Sequence, residues 1–112
     1  MYATVDDYAK FVVAQCRDNK ILKAATLNAM FQGDAVTPRY GLGYELLPKL
    51  TDNPIVSHSG SNLGWKANFM LFPVEGVGIV VATNSDVGEA RKKVLSIWRD
   101  AVVAKYKPAP KP

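Results

Sequence analysis

The segment His58-Ser59-Gly60-Ser61, followed by Asn62-Leu63-Gly64-Trp65, is where this chain concentrates residues able to do chemistry. An imidazole can donate, accept or carry charge near neutral pH. Ser59 and Ser61 add hydroxyls, and Gly60, lacking a Cβ, lets the backbone come close to a ligand. Backbone N–H groups after Gly60 could point at a developing oxyanion. The plainer alternative is a Gly/Ser-rich turn carrying a surface histidine, because short Gly/Ser segments commonly punctuate turns.

Other chemistries find less support. No Gly-x-Ser-x-Gly elbow exists. Ser59 follows His58 directly, and successive strand side chains point to opposite faces, so a self-contained Ser-His-Asp triad is not expected. Gly41-Leu-Gly43 lacks the third glycine of a dinucleotide loop and opens no helix. A single histidine, His58, excludes multi-histidine metal motifs. A single cysteine, Cys16, excludes an internal disulfide and a Cys-rich zinc site. No metal or cofactor is therefore expected. Cys16 falls on an apolar helical face and reads as an inert core residue. Arg91-Lys92-Lys93 reads as a solvated helix face.

Three helices and about four strands must position these residues. Thr4 reads as an N-cap, with Asp6 and Asp7 in the first turn. Val5, Tyr8, Ala9, Val12 and Cys16 follow at helical spacing, and Asp18-Asn19 ends that helix. A second helix is expected over Leu22 to Phe31, with Leu27, Met30 and Phe31 inward and Gly33 as its stop. Tyr40 to Leu46 reads as a strand relieved by two glycines, and Thr51 to Pro54 as a turn. Ile55 to His58 reads as a short strand leading into the small-residue stretch. Trp65–Phe72 and Val77–Thr83 form an antiparallel hairpin around the turn Pro73 to Gly76. The second strand is apolar enough to need cover on both faces. Glu89 to about Lys105 is a long helix. Its expected inward stripe is Val94, Ile97, Trp98, Ala101, Val102 and Lys105/Tyr106, with Arg91, Lys92, Arg99 and Asp100 outside. The prolines at 108, 110 and 112 leave an extended tail. This order predicts an α+β fold: an antiparallel sheet of three to four strands, a long C-terminal helix on one face, and two N-terminal helices.

The composition permits such a domain. The chain has 112 residues, 48% hydrophobic and 21% charged, which is globular rather than disordered. A domain of this size buries roughly two-thirds of its unfolded surface. The net charge is +4, but Lys105, Lys107 and Lys111 stand in a terminal stretch without acids, and eleven bases against ten acids remain elsewhere. A nucleic-acid face is not supported. No apolar run approaches the roughly 20 residues that span a bilayer. The acidic, polar start Met1-Tyr-Ala-Thr-Val-Asp-Asp7 does not read as a signal peptide.

Taken together, Tyr40-Gly-Leu-Gly-Tyr44, His58-Ser-Gly60, Gly64-Trp65, Phe72-Pro73, Gly78-Ile-Val-Val81 and Asn84 resemble the C-terminal part of the serine beta-lactamase-like hydrolases. That family includes class C beta-lactamases, penicillin-binding DD-peptidases and related esterases. Thr4-Val-Asp-Asp-Tyr-Ala-Lys-Phe11 also looks like the helix that precedes this region in the family. The resemblance implies a serine nucleophile in a Ser-x-x-Lys motif, a proton-transferring tyrosine in Tyr-x-Asn or Tyr-x-Ser, and a third motif, Lys-Thr-Gly or His-x-Gly, on a sheet strand. His58-Ser59-Gly60 matches the third. By that match His58 shapes the electrostatics of the cleft and orients the tyrosine or substrate. Ser59 faces the substrate carboxylate or carbonyl, with Gly60 and Asn62 also substrate-binding, and Ser61 supplies an oxyanion-hole N–H.

The first two motifs are missing. None of Ser57, Ser59, Ser61, Ser85 and Ser96 is followed by lysine three residues on, and no tyrosine is followed two residues on by Ser or Asn. The implied reading is a C-terminal subregion over residues 1–107 plus a Pro/Lys tail over 108–112, inactive alone. Its implied partners are the missing N-terminal part of the parent and, for that parent, a small acyl substrate (beta-lactam, ester or peptide). Truncation would also leave a sheet edge open to homo-oligomerisation. The family is commonly exported, but any leader would lie upstream. A non-catalytic α+β binding module is the alternative.

Overall fold

Thr4 opens the first helix as its sequence implies. The Asp7 N–H donates to Thr4 Oγ1 at 3.1 Å, and α1 runs Val5–Ala14. The computed structural model describes residues 2–16, 21–48, 50–85 and 88–107. The expected helix end at Asp18-Asn19 and the tail after Lys107 lie outside these. Helix α2 covers Ala24–Met30, shorter than expected, because Lys23 already takes the extended N-cap conformation. Gly33 is not a helix stop. A Cβ there would come within 2.5 Å of the Pro38 carbonyl oxygen, so glycine serves a close approach between two loop segments.

The expected strand over Tyr40–Leu46 is largely a loop. Only β1, Glu45–Leu46, enters the sheet, with an isolated bridge from Tyr40 to Glu45. Gly43 turns the chain at φ +88°, and Gly41 is pressed against the Met30 carbonyl. Strand β2 is conversely longer than expected, Val56–Asn62, and includes the whole Ser59-Gly60-Ser61 stretch. It reverses through Leu63 (φ +45°) and Gly64 (φ +82°), a two-residue turn whose twist suits a hairpin. Strands β3 (Trp65–Phe72) and β4 (Val77–Thr83) match the expected hairpin, closed by Gly76 N–H donating to the Phe72 carbonyl at 2.9 Å. The sheet is antiparallel throughout, in the order β1-β2-β3-β4.

Helices cover both faces. Val12, Cys16, Leu27, Phe31 and Tyr44 bury against Val56, Phe69 and Leu71 on one face. Ile55, Met70 and Phe72 meet Leu95 and Val102 of α3 (Glu89–Tyr106) on the other. Each large apolar side chain fully buried this way contributes about 1.5–3 kcal/mol. The α1 and α3 helices lie over β4 on opposite faces. Gly78 makes the first contact possible, since a Cβ there would stand 2.9 Å from Val12 Cγ1.

The expected inward stripe of α3 holds at Trp98, Val102 and Tyr106 and is shifted elsewhere. Leu95 and Val102 are buried, with Trp98, Val103 and Tyr106 packed beside them, whereas Val94, Ile97 and Ala101 face out. Both sets follow i, i+3, i+4 spacing, and the larger Leu95 and Trp98 fill the space over the sheet. Arg91, expected outside, turns inward. The fold is α+β, with three helices on a four-stranded antiparallel sheet. Among the described residues no helix is long and apolar enough to cross a membrane.

Candidate functional site

Strand β2 sorts the predicted residues by alternation. His58 pairs with Phe69, and Gly60 with Ala67, on the α1 face. Ser57, Ser59 and Ser61 point to the α3 face, beside Met70, Asn68 and Lys66. The strand nevertheless brings both sets to one place. A cleft of about 510 Å³ runs over its end, lined by Tyr8, His58, Ser59, Gly60, Ser61 and Asn62, with Trp65 and Ala82 beyond. The backbone around Gly60 is open, since a Cβ there would meet nothing within 4 Å. Only Val56 and Ser57 of β2 pair with β1, so from His58 to Asn62 one edge of β2 has no strand neighbour among the described residues.

His58 is held from the side. Its Nε2 lies 2.9 Å from Tyr40 Oη, and the two rings meet edge-on with centroids 6.2 Å apart. Tyr40 is presented by a loop that Asp34 organises, its Oδ1 accepting from the backbone N–H groups of Val36 (2.8 Å) and Thr37 (2.6 Å) and from Thr37 Oγ1 (3.1 Å). These bonds, that from the Thr37 backbone foremost, hold the Asp34 carboxyl below the usual aspartate range. Tyr8 borders the cleft from α1, edge-on to Phe69 at 6.0 Å. Burial pushes its phenol pKa up. Tyr44 is raised likewise, by burial and then by the charge of Tyr8, and its hydroxyl donates to Gln15 Oε1.

Behind the strand runs a buried polar chain that the sequence did not single out. Arg91 Nη1 donates to Asn68 Oδ1, Asn68 Nδ2 donates to Ser57 Oγ at 3.4 Å, and Ser57 Oγ donates to the Phe69 carbonyl at 2.7 Å. It ties α3, β3 and β2 together beside Ser59, whose strand partner is Asn68. Its one sequence signal was Asn68, an amide within the otherwise apolar run Ala67 to Phe72. The Tyr40–His58 pair had none, because it joins residues eighteen apart through a loop.

Comparison with known proteins adds one match. A family model described as Beta-lactamase covers residues 1–104. No curated protein and no solved structure matches the chain.

Proposed function

The chain belongs to the beta-lactamase family, and from that premise we propose that it supplies the His-x-Gly wall of a serine hydrolase cleft while the nucleophile comes from another stretch of polypeptide. The observation that carries this reading is the cleft over His58–Asn62, beside a strand edge with no neighbour among the described residues. A carbonyl substrate lying along that edge would meet backbone N–H groups without side-chain obstruction at Gly60. His58, tethered by Tyr40, would present one fixed ring orientation to it. Ser59 would meet the substrate's carboxylate or carbonyl, and the Ser61 N–H would stabilise the oxyanion that forms when a serine Oγ adds to the carbonyl carbon. Collapse of that adduct expels the leaving group and leaves an acyl ester, which water hydrolyses. No serine in the chain has a lysine three residues on, which supports the assignment of acylation to the parent rather than to these residues.

Two measurements test the reading. The chain is mixed with a chromogenic beta-lactam and a p-nitrophenyl ester and examined by intact mass. No acyl adduct is expected, and stoichiometric acylation of a serine would sink the division of labour. The ¹⁵N-labelled chain is then titrated with a penicillin. Weak, saturable shifts are expected at His58–Asn62. Shifts confined elsewhere, or none at saturating ligand, would favour the alternative of a non-catalytic binding module.

A further inference from the structure

Tyr40 reaches His58 from a segment that burial does not fix. Residues 32–40 are all exposed, Val36 at 87%. Close approaches and hydrogen bonds hold the segment instead. At its start, Gly33 lies so near the Thr37 and Pro38 carbonyls that a Cβ would come within 2.6 Å of either oxygen. Just past its end, Gly41 is pressed against the Met30 carbonyl of α2, and Leu42 N–H donates to that same oxygen at 3.0 Å. Between them the Arg39 carbonyl accepts from Leu46 N–H of β1 at 2.8 Å.

Asp34 anchors the bonds that lead to Tyr40. Its Oδ1 accepts from two successive backbone N–H groups, those of Val36 and Thr37, and so bends the chain into a turn. Thr37 carries the bend forward. Its hydroxyl stands 3.1 Å from Asp34 Oδ1 and 3.3 Å from the Tyr40 carbonyl oxygen, and its own carbonyl accepts from Tyr40 N–H at 3.1 Å. The Tyr40 phenol then meets His58 Nε2. Bonds to an ionised acceptor are stronger than bonds between neutral groups, which suits Asp34 to the anchoring place.

We propose that Asp34 is a positioning residue for the cleft: through Thr37 and Tyr40 it sets how the His58 imidazole faces and which ring nitrogen carries the proton. Without that acceptor the Val36 and Thr37 N–H groups turn to water and the turn widens. The phenol then loses its fixed distance to Nε2, because Tyr40, 40% exposed, has little burial to keep it there. Every link joins described residues of this chain, so the arrangement does not depend on what covers the sheet edges. The catalytic meaning rests on His58 as the cleft wall proposed above, whereas the ring itself reports on Asp34 whether or not a substrate binds.

The ring ¹⁵N signals of His58, the only histidine, read its tautomer at a pH where the ring is neutral. Asp34→Ala should move them in the same direction as Tyr40→Phe, and no further in a chain that already carries Tyr40→Phe. Asp34→Asn keeps an acceptor oxygen at that place and should return the native signals. Asp34 is exposed, so far-UV dichroism should hold. If Asp34→Ala loses the fold, Thr37→Val, which removes the shared hydroxyl, must move the ring in that same direction. Penicillin titration of the native chain separates the two readings: absent shifts at His58–Asn62 would count against the acyl cleft alone, and the ring comparison would still decide the role of Asp34. Ring signals unmoved by Asp34→Ala, changes that add to those of Tyr40→Phe, or a change that Asp34→Asn fails to reverse would each overturn that role.

Discussion

Tyr40 Oη stands 2.9 Å from His58 Nε2, so a phenol from the loop after α2 fixes the ring of the only histidine in the chain. The neutral imidazole places its proton on one nitrogen or the other, and a neighbour at Nε2 selects between them. Tyr40→Phe should change the balance of the two neutral forms, seen in the ¹⁵N shifts of the His58 ring. The stability cost is about 1 kcal/mol or less. Identical ring shifts in the variant would show that the contact does not orient the histidine.

Leu63 adopts φ +45° and is 94% exposed, so the turn holds a branched side chain in a left-handed conformation without burial in return. Leu63→Asn should stabilise the fold by about 1 kcal/mol. Urea denaturation would show a higher midpoint at unchanged slope. No gain would mean that the leucine makes a contact important to the hairpin.

The glycines at 60 and 78 separate a requirement of the cleft from one of the fold. Gly60 has open space around it, whereas a Cβ at 78 meets Val12 Cγ1 at 2.9 Å. Gly78→Ala should cost about 1–3 kcal/mol by forcing α1 off the sheet. Gly60→Ala should leave the melting temperature nearly unchanged while altering the penicillin-induced shifts. Equal destabilisation by both would refute the distinction.

Arg91, Asn68 and Ser57 form one chain, and losing Asn68 takes the acceptor from Arg91 Nη1 while Ser57 keeps its bond to the Phe69 carbonyl. Asn68→Ala should cost about 2 kcal/mol. In the Asn68→Ala background, Arg91→Met should cost far less than it does in the native chain, a coupling that a double-mutant cycle reads directly. Additive costs would show that the two residues act separately.

Alkaline pH should unfold the protein through Tyr8 and Tyr44. Burial raises both phenols above their ordinary 10.0, so the folded state holds these protons more tightly than the unfolded chain. Their contribution is fully present below pH 10 and is lost as pH climbs through the raised values. Tyr8→Phe should flatten the fall in stability above pH 10, measured by denaturant titration at several pH values. An unchanged slope would remove Tyr8 from the account.

Legibility followed range along the chain. The Thr4 cap and the β3–β4 hairpin were readable, because a cap and a four-residue turn are settled by neighbouring residues. The extent of β2 was not, since Ser59-Gly60-Ser61 has poor strand propensity and is held by pairing with Ala67 and its neighbours. On α3, Trp98, Val102 and Tyr106 were legible as inward, but Leu95 was not, because two apolar stripes share one period and only the sheet beneath chooses between Leu95 and Val94. At the cleft, His58 and Gly60 were visible by type. Tyr40 and Tyr8 arrive through tertiary contacts that no spacing encodes.

The sheet keeps the same strand order in space as along the chain, and this bears on how fast the protein folds. Each of β2, β3 and β4 finds its partner across a short turn, so little loop-closure entropy opposes the meander. Seating Val12 of α1 against Gly78 of β4 is different, because it must enclose most of the sequence. Docking of α1, rather than formation of the sheet, should then be the slow step. Gly78→Ala should accordingly slow refolding, and a variant that only unfolds faster would place α1 docking after the barrier.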